Sequence, residues 1–176
     1  MSLKNDTYPS FVSQSGLTAS AAHLFNHALA KGGLFLAVAA VSMVVAGCRL
    51  DDIAGLARRM PWTFAALVIA GLSLIGIPGT AGFISKWYLI NAALELESGG
   101  VALVALILIS SLMAVVYVWR IVEAAYFGEP AKQDFTPVPC ALVVMLCAVA
   151  IANVGFGIAP DLPLTLSATA ADILLG

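Results

Sequence analysis

A long apolar stretch that contains a helix breaker and one lysine constrains this chain more than any other feature. Residues 61–97 read PWTFAALVIAGLSLIGIPGTAGFISKWYLINAALELE, and Lys86 is the only cation among them. As one straight helix the stretch would be roughly 50 Å long, whereas the hydrocarbon core of a bilayer is about 30 Å thick. Tilting a helix absorbs only part of such an excess. The sequence therefore predicts one membrane-spanning helix that is broken.

The break is predicted at residues 76–82, where the sequence is GIPGTAG. Pro78 has no N–H group and its ring clashes with the preceding turn, and Gly76, Gly79 and Gly82 surround it. Irregular backbone persists at membrane depth only where protein surrounds it or where it lines a wet cavity. Because broken helices mark ion sites in transporters, we expect this break to be functional.

The composition is that of an integral membrane protein. Apolar residues make up 61% of the chain and charged residues 10%, whereas soluble chains average about 25% charged residues. The net charge of −2 gives no basic surface for nucleic acid. Cys48, Cys140 and Cys147 fit no zinc pattern, so we expect them to be packing residues. No motif points to an enzyme active site, and neither a cofactor nor a metal is predicted.

The apolar pattern predicts an all-α integral membrane fold with about four transmembrane helices, the second one broken. Thr18 or Ser20 is expected to cap a first helix that runs to about Cys48. Residues 101–119 form the third span, which continues into water as far as Gly128. The fourth span begins near Pro139 and ends at about residue 159.

These spans define the expected domain organisation. Residues 1–17 form a polar N-terminal segment, residues 18–160 the transmembrane domain, and residues 161–176 a weakly amphipathic tail at the membrane surface.

The charged residues between the spans predict the orientation. One side holds Arg49, Arg58, Arg59, Arg120 and Lys132, and the other holds Glu95, Glu97, Asp161 and Asp172, with Lys4 as its cation. By the positive-inside rule the arginine side is cytoplasmic, so both termini are expected to face outward.

Lys86 is the strongest candidate for a functional residue. The alternative interpretation places it at an interface, at the start of a separate helix, but the apolar residues 87–94 are too few to cross a bilayer. Near the beginning of the second half-helix, Lys86 is expected to face the positive end of that half's helix dipole, which disfavours the charged form of the lysine. Burial disfavours the charged form as well. A lysine in such a place can release and rebind a proton, whereas an arginine cannot.

His23, His27 and Lys31 lie four residues apart and form one polar stripe on the first helix. This stripe is interpreted as a proton relay, since histidine titrates near neutral pH. Alternatively, Lys31 lies at the outer interface and the histidines lie in water. A metal site is not supported, because no further ligands are near in the sequence.

Hydroxyl groups near the break have two possible uses. Ser73, Thr80 and Ser85 either line a wet path or bond to the backbone carbonyls that the break frees, and the second use is favoured.

Three segments resemble a known family. HLFNHALAKGGLFL, LARRMPWTFAALVIAGLSLIGIPGTAGFISKWYLI and SSLMAVVYVWRIVEAAYFG resemble the antiporter-like subunits of respiratory complex I and of multisubunit cation/proton antiporters. GIPGTAGFISKWYLI and RIVEAAYFG are most similar to the D-type subunit of Mrp sodium/proton antiporters. The resemblance extends over residues 18–160.

The resemblance implies a bundle of about fourteen helices with two inverted repeats, each containing a broken helix. By the family's pattern, Lys31 matches the connecting lysine, His23 and His27 match the histidines before it, and Lys86 matches the terminal lysine that exchanges protons with the outer side. Two ammonium groups about 10 Å apart repel by roughly 1.7 kcal/mol at an effective dielectric near 20. Protonating one lysine would therefore help to deprotonate the other.

This chain matches only the last four helices of that family. We expect a truncated reading frame, a split gene or a remnant, and a half-path of this kind is not expected to pump alone. The implied partners are the other subunits of a membrane antiporter complex, including the missing N-terminal helices, together with the lipid bilayer, protons and a monovalent cation.

The sequence thus predicts a membrane subunit of a monovalent cation/proton antiporter, which is a transporter and not an enzyme, in the bacterial plasma membrane. Its proton path would use Lys86, Lys31, His27 and His23. Two alternatives stay open: an antiporter-like subunit of complex I, and a non-conducting structural subunit or inactive fragment.

Overall fold

The computed structural model describes residues 13–45, 49–96, 98–129 and 138–175, and within these ranges the chain is helical. The elements are α1 (Gln14–Ser42), a 3₁₀ turn (Leu56–Arg58), α2 (Pro61–Ile75), α3 (Ala81–Leu94), α4 (Gly100–Phe127), α5 (Cys140–Ile158) and α6 (Asp161–Leu175). The predicted all-α fold is confirmed.

Three of these helices, α1, α4 and α5, are long and apolar enough to cross a membrane. The 15 residues of α2 and the 14 residues of α3 each give only about 22 Å of helix, which is less than the roughly 30 Å of a bilayer core. Together they form the predicted broken span, and the chain leaves the helix between Ile75 and Ala81. Gly76 and Gly79 have φ values of 92° and 87° there, which side chains with a Cβ rarely adopt.

The first helix begins earlier than predicted. Its N-cap is Ser13, whose hydroxyl accepts a hydrogen bond from the Gly16 N–H at 3.1 Å, so the prediction of Thr18 or Ser20 as the cap is wrong. A serine three residues before an open helical N–H can make this bond wherever the chain enters the helix, and the polar composition of residues 13–17 concealed the first turn. The helix ends at Ser42, and Cys48 lies outside the described residues.

Small side chains bring the helices close together. The buried face of α1 consists largely of Ala19, Ala22, Ala30, Gly33, Ala37 and Ala40. A Cβ on Gly33 would lie 3.1 Å from the Cβ of Ala70 in α2 and 3.2 Å from a methyl group of Val149 in α5. Such small-residue faces are typical of helix packing in membranes, where close van der Waals contact drives association.

The helix break is packed against α5. A Cβ on Gly157 would overlap the backbone of Gly79 and Thr80, so the backbone of α5 touches the backbone of the break. The irregular segment is therefore surrounded by protein on this side, as irregular backbone at membrane depth requires.

The segment between α1 and α2 closes the arginine-rich end of the bundle. Ile53, Leu56 and Met60 are buried in the apolar core, and the Gly55 N–H donates to the Ala124 carbonyl of α4 at 3.0 Å. This loop is therefore fixed to α4 rather than free.

The C-terminal residues form a helix that joins the bundle. α6 packs along α1 and buries Pro163, Ser167 and Ala171. At the N-terminal end of α1, Gln14 donates to the carboxylate of Asp172, and Ser15 donates to the carboxylate of Glu95. The ends of α3 and α6 and the start of α1 therefore lie together.

Replacing Gly82 by alanine is expected to destabilise the fold. A Cβ at this position would overlap the Ser73 carbonyl oxygen, and neither backbone can move freely at the break. Overpacking of this kind costs about 1–3 kcal/mol, measured as a lower unfolding temperature of the complex purified through a tag on this chain. Gly32→Ala is the matched control, because no atom lies within 4 Å of a Cβ there. Equal unfolding temperatures for the two variants would contradict the packing described for the break.

Candidate functional site

The ammonium group of Lys86 is held at the helix break by three oxygen atoms. Its Nζ donates to the Leu74 carbonyl at 2.7 Å, to the Ile75 carbonyl at 2.9 Å and to the Ser111 hydroxyl at 2.6 Å. Leu74 and Ile75 end α2, and Ser111 lies in α4. An ammonium has three N–H donors, and all three are used. We call these three oxygens the amine site.

This geometry corrects the predicted electrostatics of Lys86. The lysine was expected to face the positive dipole end of α3, but its ammonium contacts the last carbonyls of α2, which form the negative dipole end of that helix. Side chains in a helix tilt toward its N-terminus, so Lys86 extends back beyond α3 to the helix before it. The environment attracts a cation instead of repelling one.

Gly76 provides the space for this arrangement. A Cβ on Gly76 would lie only 2.9 Å from the Cδ of Lys86, so the lysine stem passes directly over this glycine. Gly76 therefore serves both the turn of the backbone and the path of the side chain.

Three hydroxyl groups bond to the backbone at and beside the break. Ser73 accepts a hydrogen bond from the Gly82 N–H at 3.1 Å, Thr80 donates to the Ile77 carbonyl at 2.7 Å, and Ser85 donates to the Gly82 carbonyl at 3.2 Å. The favoured interpretation is confirmed for Thr80, whereas Ser73 bonds to an N–H group and Ser85 bonds to a carbonyl of its own helix. The Ser73 bond caps an N–H in the first turn of α3, which has no partner within its own helix.

The polar stripe of α1 lies against α3. Nδ1 of His23 is 3.1 Å from the Ser85 hydroxyl oxygen, and the ring centroids of His23 and His27 are 5.5 Å apart. Asn26, which is 1% exposed, donates to the Ala81 carbonyl at 2.8 Å. The first helix is thus attached to the start of α3 at two points, one through the stripe and one through Asn26.

All four residues predicted for the proton path line one groove of about 920 Å³. His23, His27 and Lys31 come from α1 and Lys86 from α3, while Leu74, Met113 and Tyr117 contribute to the wall. Lys86 is half-buried and Lys31 is exposed. The structure therefore brings the sequence-predicted residues together, although Lys31 makes no hydrogen bond within the part of the chain that is described.

The groove lies near mid-height of the long helices. Ser111 is eleven residues from the start of α4 and sixteen from its end, or about 17 and 24 Å along the axis. Lys31 is seventeen residues from the start of α1 and eleven from its end. Lys31 therefore lies away from both ends of α1, and the Lys86 ammonium, which bonds to Ser111, lies away from both ends of α4.

Sequence reasoning missed Ser111 and gave no role to Asn26. Ser111 belongs to a Ser-Ser pair inside an apolar run, which is a visible signal, but its contact with Lys86 joins residues 25 positions apart. Across the described ranges, no three His, Cys, Asp or Glu side chains come together as metal ligands.

Residues 9–114, more than half of the chain, match the model of the transmembrane family described as NADH:quinone oxidoreductase/Mrp antiporter. The chain belongs to this family. The predicted resemblance is confirmed at the level of the family.

Relatives in this family include subunits of two kinds of complex. The chain is 43% identical over 120 residues to NADH-quinone oxidoreductase subunit N of Desulforudis audaxviator, covering 66% of this chain and 24% of that protein. It is 32% identical over 162 residues to Na(+)/H(+) antiporter subunit A1 of Staphylococcus haemolyticus, covering 84% of this chain and 20% of the relative. The chain thus spans about a quarter of the length of these relatives.

A solved structure contains a chain with a similar helix arrangement. The Mrp complex from Dietzia sp. DQ12-45-1b contains a chain that superimposes with a TM-score of 0.80 at 27% identity, covering 90% of this chain and 38% of that chain.

Removing the Ser73 hydroxyl is expected to destabilise the folded backbone at the helix break. In Ser73→Ala the buried Gly82 N–H has no acceptor, which costs about 1–2 kcal/mol. The measurement is the unfolding temperature of the purified complex. Ser42→Ala is the control, since its exposed hydroxyl bonds only to a carbonyl of its own helix. A loss of stability as small as in the control would show that the Ser73 bond does not support the break.

Proposed function

We propose that this chain is a membrane subunit of a monovalent cation/proton antiporter and carries part of its proton path through Lys86, Lys31, His27 and His23. One observation carries the proposal: these four side chains line a single groove beside the helix break. In membranes, ionisable residues that face a cavity near mid-depth are typical of proton relays.

The path would have a connected part and a wet part. His23 and Ser85 are within hydrogen-bond distance, and His27 lies one turn further along α1 beside His23. A groove of about 920 Å³ has room for many water molecules, which bridge polar groups too far apart for direct bonds. Lys31 would be the connecting carrier and Lys86 the terminal one, and the repulsion between their charges would couple their proton transfers.

Three similar proteins support two versions of this function. Similarity to a Na(+)/H(+) antiporter subunit and to an Mrp complex supports cation/proton exchange, and we propose the D type of Mrp subunit within that class. The 43% identity to an NADH-quinone oxidoreductase subunit favours a second candidate, in which redox chemistry elsewhere in a complex drives the protons. The same groove would serve both.

The exposed side of the groove supports a multisubunit assembly. Lys31 is exposed on a helix long enough to span a membrane, and a charge facing lipid at that height is costly. We propose that other subunits, including helices equivalent to the rest of the longer relatives, cover this side.

The arrangement of the helix ends supports the proposed orientation in a bacterial plasma membrane. The Gly55–Ala124 hydrogen bond joins elements at the arginine-rich end, and the contacts of Glu95 and Asp172 with the start of α1 join elements at the acidic end. By the positive-inside rule, the arginine-rich end would be cytoplasmic and the termini outward.

Replacing Lys86 by alanine is expected to abolish proton-coupled cation exchange while the complex still assembles. The measurement is cation-driven pH change in proteoliposomes containing the complex purified through a tag on this chain. Lys86→Arg should be equally inactive, because arginine keeps the charge but does not release its proton. Lys132→Ala, at a lysine outside the apolar segments of the sequence, is the control and should be active.

The outcomes separate the candidates. Full exchange in Lys86→Ala would remove Lys86 from the mechanism and favour a structural subunit. Subunits identified by mass spectrometry in the same purified complex distinguish an antiporter, with cation-antiporter subunits, from an oxidoreductase, with redox subunits.

A further inference from the structure

The amine site presents only oxygen acceptors to the ion it holds. The Ser111 hydroxyl donates its own hydrogen to the Ile107 carbonyl at 3.0 Å, so its lone pairs are directed at Lys86. The other two oxygens are main-chain carbonyls. Within the described residues the groove lining contains no carboxylate. The site is therefore an uncharged oxygen cluster at the negative end of a helix dipole.

The sequence explains why the two carbonyls are available. In a continuing helix the Leu74 carbonyl would accept from the N–H of residue 78, but residue 78 is a proline and has none. The Ile75 carbonyl would accept from Gly79, where φ of 87° shows that the chain has left the helix. The N–H groups of Gly76 and Ile77 both bond to Leu72 instead. The GIPG sequence thus leaves two carbonyls free to bind a cation.

We propose that the amine site is also a monovalent-cation site, which an alkali ion occupies when the Lys86 amine has lost its proton and withdrawn. This inference rests on the proposed function and assigns the exchanged cation a binding place. Alkali ions, like other hard cations, bind oxygen ligands, and the C-terminal ends of broken helices supply such ligands in transporters. Water in the groove completes the coordination shell.

The exchange conserves charge at the site. The Lys86 ammonium gives its proton to water in the groove, the neutral amine leaves the three oxygens, and one alkali ion takes its place. Return of a proton to the amine restores the ammonium and expels the ion. One proton therefore moves for one cation.

Withdrawal of Lys86 is sterically possible because the side chain lies at the edge of the groove. It is half-buried, and its stem crosses Gly76, which has no Cβ to trap it.

The titratable groups that face the groove from the elements packed around it are His23, His27 and Lys31 of α1 and Tyr117 of α4. The ammonium and an alkali ion repel each other and use the same three oxygens, so the amine site holds one of them at a time.

The test measures cation binding separately from transport. In the Lys86→Met complex, which lacks the amine, NaCl or KCl should raise the unfolding temperature in a saturable manner relative to choline chloride at equal ionic strength. In the Lys86→Met, Ser111→Ala double variant, the apparent Kd should weaken about tenfold or more, because one ligand contact to a charge is lost. Alkali-dependent protection that is equal in both variants would overturn the proposal, and so would the absence of protection by both salts.

Two controls isolate the amine site. Lys31→Met removes the other lysine of the groove and should gain no cation-dependent protection. Thr169→Ala, added to Lys86→Met, removes a hydroxyl that bonds four residues back in its own helix, as Ser111 does, but lies on the exposed face of α6. It should leave the apparent Kd unchanged.

If Lys86→Met does not assemble, the wild-type complex provides the same test. Protection by NaCl or KCl should increase as the pH rises and Lys86 loses its proton, and Ser111→Ala should abolish this increase while Ser111→Thr retains it. A pH-independent response, equal in wild type and Ser111→Ala, would contradict the proposal.

Failure of this inference is distinguishable from failure of the proposed function. Loss of exchange in Lys86→Ala without any cation binding would leave Lys86 as a proton carrier and place the cation elsewhere. Cation binding at the amine site together with intact exchange in Lys86→Ala would instead overturn the role of Lys86.

Discussion

The contact between the Lys86 ammonium and the end of α2 is the interaction on which the rest of the site depends. It requires a helix that stops inside the bundle, because only a helix end has carbonyls without partners. It also requires that the lysine lie about one and a half turns into the next helix, so that its stem extends back to that end. Gly76 and Pro78 supply the first condition, and the position of Lys86 in α3 supplies the second.

Much of this organisation could be predicted because its causes are local in the sequence. A proline between glycines in an apolar run breaks a helix wherever it lies, and a four-residue spacing puts His23, His27 and Lys31 on one face in any helix. The existence of four apolar spans follows in the same way from length and composition. The structure confirms the break, and it brings the stripe and Lys86 to one groove.

The parts that could not be predicted depend on contacts between elements. The prediction that Lys86 faces a positive dipole end is wrong because it considers only the helix that carries the lysine. The side chain instead binds the carbonyl end of the helix before it. The role of Ser111 depends on how α4 is rotated against α3, which an apolar pattern on all faces of α4 does not specify. The docking of α6 on α1 likewise depends on a small-residue face that becomes visible as an interface only when its partner is known.

The contact of Gly157 with the break has a mechanical consequence. Because the backbone of α5 touches Gly79 and Thr80 without an intervening side chain, the break cannot shift toward α5 unless that helix shifts with it. A rearrangement of the α2 terminus in that direction would therefore displace α2 and α5 together and would not be the motion of a single loop. Motions of packed helices are slower than those of free loops, so any such rearrangement would take place on the slower timescale of helix displacement.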